Sequence, residues 1–407
     1  MAASLAVEEP GANLAAAPDA RNLTVLQVLP SLVTGGVERG TVEITQAIAK
    51  AGGTALVASA GGRLVTSIER AGGRHITLPL MRKDPFTVWR NGRLLAAIIR
   101  AERVDIVHAR SRAPAWSAWM ACRRAGAHFV TTWHGTYNEN LPLKRRYNSV
   151  MATGERVIVA SRFIARLVEE RHGVDPGRIR LIPRGVDPKV FDPMAVSGER
   201  VMRLLRAWRV PEHVPVVVLP GRLTEWKGHG VLLEAIARMG RRDVCCVLVG
   251  AEQGRARYTA RLVARAEALG IADRLRLAGE CDDMPAALMA ADLVVHASTQ
   301  AEAFGRVVVE AQALGRPVIA TDLGGPAETV EHGVTGWRVP AGDAAILAEA
   351  IEAVLALPTE TLDEVAAQAR AAVLRSYTVS RMQAATVGVY REVMGRCTTC
   401  TTVEATP

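Results

Sequence analysis

The sequence predicts an α/β protein made of two successive doubly wound domains, each a parallel sheet with helices on both faces. Three observations carry this. Short runs rich in Val, Leu and Ile alternate with segments of helical periodicity along nearly the whole chain, the pattern a parallel sheet requires. The stretch Ile182-Pro183-Arg184-Gly185-Val186-Asp187-Pro188-Lys189-Val190-Phe191-Asp192-Pro193 is dense in Pro, Gly and Asp and reads as a connection, after which a second alternating series begins. A length of 407 residues accommodates two or three domains, each with its own core. The expected division is an extension at 1–22, a first domain at 23–195, a second at 196–378, a terminal helix at 379–396 and a flexible tail at 397–407.

Composition and charge narrow the functional classes. Apolar residues make up 49% of the chain, yet no run approaches the eighteen or so that span a bilayer. Residues 1–22, rich in Ala, Pro and acids, lack a basic start followed by an apolar block, so they read as a disordered extension and not a signal peptide. Of the six cysteines, Cys245 and Cys246 fall in a strand pattern and Cys122 in a helical one. Only Cys397 and Cys400 have metal-like spacing, without a second pair to complete a site. A reduced, cytoplasmic protein without a resident metal is the expectation. From Leu23 to Ala195 there are 26 Lys and Arg against 13 Asp and Glu, a balance of +13, so with +9 overall the remainder is acidic by 4. A basic half suits an anionic substrate or an anionic membrane surface. Nucleic acid is excluded by the absence of any helix-turn-helix, zinc-finger or aromatic RNA-binding signature.

Taken in order, the first strand runs from Leu23 to Leu29. It leads through Gly35-Gly36 into a helix reaching Ala51, a glycine turn that lets backbone amides approach a ligand. Its spacing is not Gly-x-Gly-x-x-Gly, and no acid follows about twenty residues on, so a dinucleotide fingerprint is absent. Further strands are expected at Ala55–Ala58, His75–Leu78, Asp105–His108, His128–Thr132, Val157–Ala160 and Ile179–Ile182. Asp84-Pro85 starts a helix. That helix has a basic side and carries Trp89, Leu94, Leu95, Ile98 and Ile99, a pattern compatible with packing on the sheet or with docking on an anionic membrane, as is Lys144-Arg145-Arg146. Two loops stand at carboxyl strand ends, where ligands bind in such sheets: His108 to Pro114, with Arg110 and Arg112, and Thr132 to Tyr137, with His134.

In the second series, the strand Val214–Leu219 is followed by Gly221-Arg222-Leu223-Thr224-Glu225-Trp226-Lys227-Gly228 and a helix from about Val231. Arg222 offers a fork and Lys227 a point charge, beside two glycines, for a diphosphate whose charge grows as it leaves. No Asp-x-Asp occurs in the chain to hold a magnesium-bound diphosphate. Strands Val244–Gly250, with Gly250 at its carboxyl end, and Leu275–Gly279 follow. After Leu293–His296 comes Gln300-Ala301-Glu302-Ala303-Phe304-Gly305-Arg306-Val307-Val308-Val309-Glu310-Ala311, in which Phe304-Gly305 opens a helix. The unpaired amides and positive dipole end of that helix favour an anion. Eight residues at helical rise span roughly 12 Å, about the reach from the sugar to the ribose of a nucleotide sugar. Glu302 then suits the sugar, Phe304 and Gly305 the diphosphate and Glu310 the ribose. Strands Val318–Thr321 and Trp337–Val339 complete the sheet.

The Glu302-x7-Glu310 window, the Gly221-Arg222-Leu223-x-x-x-Lys227-Gly228 motif and the Pro183-x-Gly185-Val186-Asp187-x-x-x-Phe191-x-Pro193 segment resemble the family 4 retaining glycosyltransferases. The resemblance covers about Leu23 to Met394. It implies the GT-B fold, two Rossmann-like domains facing across a cleft, with the acceptor in the first, the nucleotide sugar in the second and the terminal helix returning to the first. By the same likeness Gly35 and Gly36 lie near the phosphates and acceptor, Arg222 and Lys227 clamp the diphosphate, and Glu302 supports the transferred sugar. Many relatives carry a sugar-contacting histidine just beyond the position of His108. Here Arg110 and Arg112 stand nearest, and His134 is the histidine to carry such a role, on the sugar or the acceptor. The implied function is retaining, metal-independent transfer of a hexose-type sugar from a UDP- or GDP-sugar to a glycan or glycolipid acceptor, a lipid or lipopolysaccharide core at the cytoplasmic membrane face. No cofactor beyond the donor is implied. A sugar-nucleotide 2-epimerase and a non-catalytic nucleotide-sugar-binding subunit are the alternatives.

Overall fold

Runs of β-branched and leucine side chains, too short for helices and bounded by Gly, Pro or Asp, form thirteen strands in the computed structural model, which describes residues 20–395 apart from Thr34. The expected extension and tail, with Cys397 and Cys400, lie outside the described residues except for 20–22. Strands β1 (Thr24–Val28), β2 (Thr54–Ser59), β3 (Arg74–Thr77), β4 (Ile106–Ala109), β5 (His128–Trp133), β6 (Arg156–Val159) and β7 (Ile179–Leu181) form one sheet in the order β3-β2-β1-β4-β5-β6-β7. Strands β8 (Val216–Pro220), β9 (Cys245–Val249), β10 (Leu275–Gly279), β11 (Leu293–His296), β12 (Val318–Thr321) and β13 (Trp337–Val339) form the other, in the order β10-β9-β8-β11-β12-β13. The registered pairs are all parallel. Each sheet turns back at its first strand, so β1 and β4 in one, and β8 and β11 in the other, flank a switch point where α/β sheets bind ligands.

Burial explains why the strands read as unbroken apolar runs. In the second sheet Val216, Val218, Val247 and Val294 face one core, with Val308 and Leu314, while Val217, Leu219, Leu248 and Val295 face another, with Leu232 and Ile236. Alternate side chains of one strand thus enter different helix layers, and both are dry.

By sheet membership the chain divides between Leu181 and Val216, around the expected boundary at 195/196. Compactness divides it elsewhere. One unit runs through Thr131 and adds Gly154–Arg156 and the chain from Gln383; the other holds Thr132–Thr153 and Val157–Met382. The Pro/Gly/Asp-rich connection belongs to the second unit because it is knitted into it. Val186 donates to Tyr377 O (2.8 Å) and accepts from the Val379 amide (2.9 Å), and a Cβ on Gly185 would lie 2.4 Å from the Thr378 backbone. The terminal helix Val379–Val393 joins the first unit from Gln383 onward. There Gln383 donates to Glu43 O (2.7 Å), and the fully buried Tyr390 hydroxyl meets His108 Nδ1 at 2.7 Å.

The helix Pro85–Ala101 starts as expected, with Asp84 capping the Thr87 amide at 2.8 Å and Pro85 in the first turn. Leu95 and Ile99 are buried, so its apolar stripe is the packing face of a crossover helix. Phe86 (69% exposed), Trp89 (42%) and Leu94 (38%) lie outside that stripe.

Candidate active site

The carboxyl ends of β8 and β11 come together because three glycines let their loops touch. Gly228, in the left-handed region at φ 75°, carries its backbone so close to β11 that a Cβ would sit 1.8 Å from Ala297 O. The Trp226 carbonyl then accepts the Thr299 amide at 2.8 Å. On the other side, the turn after β12 packs Gly324 and Gly325 on the loop of Glu302. The Gly325 amide donates to Glu302 O (2.8 Å), and a Cβ on Gly325 would meet Ala303 O at 2.3 Å. Only residues without side chains allow such backbone approach.

This packing delivers Lys227 Nζ to 2.6 Å from Glu302 Oε1, with side chains 12% and 14% exposed. The ammonium also lies 4.6 Å from the Trp226 ring centroid. Two further donors reach the same oxygen: His296 Nε2 at 2.6 Å and Ser298 Oγ at 2.5 Å. Burial alone would raise the Glu302 carboxyl, but the adjacent His296 and Lys227 outweigh it and hold it far below the usual carboxylate range. Beside it, the helix Arg306–Ala313 opens at Gly305, which has φ 75° and no side-chain cap. A Cβ there would meet Pro326 Cγ at 2.5 Å. The Val308 amide donates back to Gly305 O at 3.0 Å, and the Arg306 and Val307 amides before it are the donors a helix start offers an anion.

Other expected site residues are placed as follows. Arg222 is exposed on the loop after β8, and no side-chain partner of its guanidinium is found among the described residues. The Gly250 amide donates to Gly279 O at 2.8 Å and so is not offered to a donor. Gly250 acts structurally, since a Cβ would lie 1.9 Å from Gly221 O. The Phe304 ring is 5% exposed and stacks edge-on against Tyr377 at 5.7 Å, leaving its backbone, the part expected at the helix start, for a ligand. Glu310 is buried and accepts from Arg306 Nε one helical turn earlier, at 3.1 Å. Gly35 caps the helix Gly36–Lys50 at φ 141°, and both glycines are exposed.

His134 lies half-buried after β5, where an Arg184 guanidinium nitrogen bonds its Nδ1. Because arginine only donates, Nδ1 is the acceptor and any single ring proton sits on Nε2. The same loop reaches the Glu302 loop, with Thr136 Oγ1 donating to Ala301 O at 3.0 Å. Arg110 does not replace a sugar-contacting histidine. It is 2% exposed, donates to Gln27 Oε1 at 3.0 Å, and burial pulls its guanidinium below the ordinary arginine range. Sequence reasoning missed His296, Ser298 and Arg184. The available signal for the first two was polarity at the carboxyl end of an otherwise apolar buried strand.

Comparison with known proteins accords with this geometry. Residues 203–372 match the glycosyl transferases group 1 family and residues 34–190 match Glycosyltransferase Family 4. The chain is 32% identical over 285 residues to the D-inositol 3-phosphate glycosyltransferase of Salinispora tropica, covering 61% of this chain and 57% of that protein. It spans less than two thirds of the length of the first curated relatives it matches. A solved glycosyltransferase from Rickettsia africae has a TM-score of 0.85 at 35% identity, over 92% of this chain and 99% of that one. Anabaena HepE, solved in complex with UDP, has a TM-score of 0.80 at 26% identity, over 91% and 100%. With two parallel sheets and these likenesses, the chain belongs to the family 4 glycosyltransferases and has the GT-B fold.

Proposed function

We propose that this protein transfers a sugar from a nucleoside-diphosphate donor to an acceptor hydroxyl with retention of anomeric configuration and without a metal ion. The observation that carries the reading is the convergence of Lys227, an ionised Glu302 and the uncapped helix start at Gly305 at the carboxyl ends of β8 and β11. Such a group supplies fixed positive charge for a departing diphosphate and fixed negative charge for a sugar developing cationic character. Exposed Arg222 adds a second cation. Anabaena HepE is solved with UDP and with UDP-glucose, which favours a UDP-hexose donor here. The acceptor hydroxyl attacks the face the diphosphate leaves, a phosphate oxygen takes its proton, and Glu302 supports the sugar electrostatically. A panel of UDP- and GDP-sugars tests this by thermal shift and then by transfer. One donor should stabilise the fold by mass action, its product should keep the anomeric configuration, and EDTA should leave the rate unchanged. Inversion, or loss of turnover in EDTA that Mg2+ restores, would overturn the mechanism.

The acceptor we favour is a lipid-linked glycan at an anionic membrane face. No described helix is long and apolar enough to cross a membrane. In the first unit, however, exposed Met81 (57%), Phe86 and Trp89 stand among exposed Arg82, Lys83, Arg90 and Arg93. Phe86 and Trp89 are neighbours at 6.2 Å, and Arg93 covers the Trp89 ring at 5.0 Å. The only acid in this stretch, Asp84, is committed to its helix cap. Aromatic side chains ringed by cations fit the headgroup region of an anionic bilayer. Vesicles containing phosphatidylglycerol should pellet the protein at low salt and release it at high salt, while pure phosphatidylcholine should not. Phe86→Ala with Trp89→Ala should weaken this partitioning about tenfold or more. Indifference to lipid charge would remove the proposal.

A further inference from the structure

We propose that His296 and Ser298 are positioning residues that hold one oxygen of Glu302 from inside the fold, so that the other is the oxygen presented to the sugar. The inference rests on the role of Glu302 proposed above, and it concerns residues outside the Glu302-Glu310 and Arg222-Lys227 motifs.

His296 is the last residue of β11, its side chain is 2% exposed, and its Nε2 lies 2.6 Å from Glu302 Oε1. Ser298, two residues on and 1% exposed, reaches the same atom at 2.5 Å. Its carbonyl is in turn held by Thr321 Oγ1 of β12 at 3.0 Å, so the turn is anchored to the neighbouring strand. Since a carboxylate only accepts, the Nε2 proton is required in either charge state of the ring, and the serine proton also points at Oε1. The 3.2 Å approach of Ser298 Oγ to His296 Nε2 is then a contact between two donors that share an acceptor. His296 Nδ1 is buried and has no partner.

With Lys227, three donors converge on Oε1, and among the described residues Oε2 has none. The arrangement is asymmetric. Two buried donors, His296 and Ser298, fix orientation, while the third, Lys227, also faces the position expected for the diphosphate. Glu302 can therefore stay aimed if Lys227 shifts toward a phosphate. The fixed geometry is what an electrostatic support needs in order to act without reorganising during the reaction.

The test uses the full chain. His296→Leu and His296→Gln are compared with Ser298→Ala, with UDP-glucose as the first donor and the donor panel behind it. Loss of aim should lower kcat by about 10- to 100-fold, with KM for the donor and calorimetric UDP affinity changed less than about threefold. His296→Gln, which can still donate, should recover part of the rate. A second readout needs no turnover: titration of 13C-labelled glutamate carboxyls, with the Glu302 signal identified by its loss in Glu302→Gln. The charged or titratable groups in direct contact with Glu302 are Lys227 and His296. The wild-type signal should remain ionised to the lowest pH at which the fold survives, and in His296→Leu it should titrate at higher pH. Unchanged kcat and unchanged titration in a folded His296→Leu protein would overturn the positioning role. A shifted titration in a protein that transfers no sugar from any donor would instead leave the clamp standing and remove the proposed function.

Discussion

Lys227→Ala is expected to lower glycosyl transfer by about 10²- to 10³-fold, the usual consequence of deleting one fixed donor to a developing negative charge. The ammonium is a compact charge with three donors on a flexible stem, and one of them reaches Glu302 at 2.6 Å, leaving two for phosphate oxygens. On the proposed mechanism, removing it deprives the leaving group of a fixed cation. It also lets the Glu302 carboxyl rise back toward its ordinary range, because one of the two groups that hold it down is gone. The sign for stability follows. A depressed carboxyl contributes stability that is present above its unfolded pKa and is lost as pH falls through the folded one, so the variant should be less stable at neutral pH, with the difference narrowing in acid. The fold itself should survive, since His296 and Ser298 still donate to Oε1. Steady-state kinetics beside thermal melts at neutral and acid pH check this; near-normal turnover in a folded variant would sink the assignment.

Gly228→Ala should be the most damaging small substitution in the second sheet's loops. The residue sits at φ 75°, where an L side chain costs about 1–2 kcal/mol. Its new Cβ would lie 1.8 Å from the carbonyl oxygen of Ala297 and 2.6 Å from the carbon, and neither is the end of a flexible side chain. Relief requires the loop after β8 to retreat from β11. That breaks the bond between Thr299 N and Trp226 O and withdraws Lys227 from Glu302. Strain and displacement together should cost about 3–5 kcal/mol, lowering Tm by roughly 6–20 °C and removing most activity. Gly230→Ala is the matched control. It lies in the helix His229–Arg238 with nothing within 4 Å of its Cβ, so it should be neutral or stabilise by up to about 1 kcal/mol. Equal melting of the two variants would refute the close-approach account.

Much of the architecture was legible because its causes are local. β11, β12 and β13 fall at the residues read from apolar runs, and the helix after Glu302 starts at Arg306, directly behind Phe304-Gly305. Asp84 with Pro85 foretold a cap that is present. What failed did so for a common reason. Gly250 was read as donor-binding from its place at a strand end, but its amide is committed to Gly279, and Arg110, in a loop at another strand end, is committed to Gln27. A position along a loop says nothing about which way the residue turns.

The amino-acid order alone determined where strands and helices lie and which residue types could meet a diphosphate sugar. Periodicity, glycine turns and the charges of Glu302, Lys227 and Arg222 are properties of short windows. Tertiary structure alone decided that Lys227 and Glu302, 75 residues apart, become a pair, and that His296 and Ser298 stand behind them. The physical reason is backbone close approach at Gly228, Gly324 and Gly325. A missing side chain permits such an approach, but only the packed sheet specifies what arrives there.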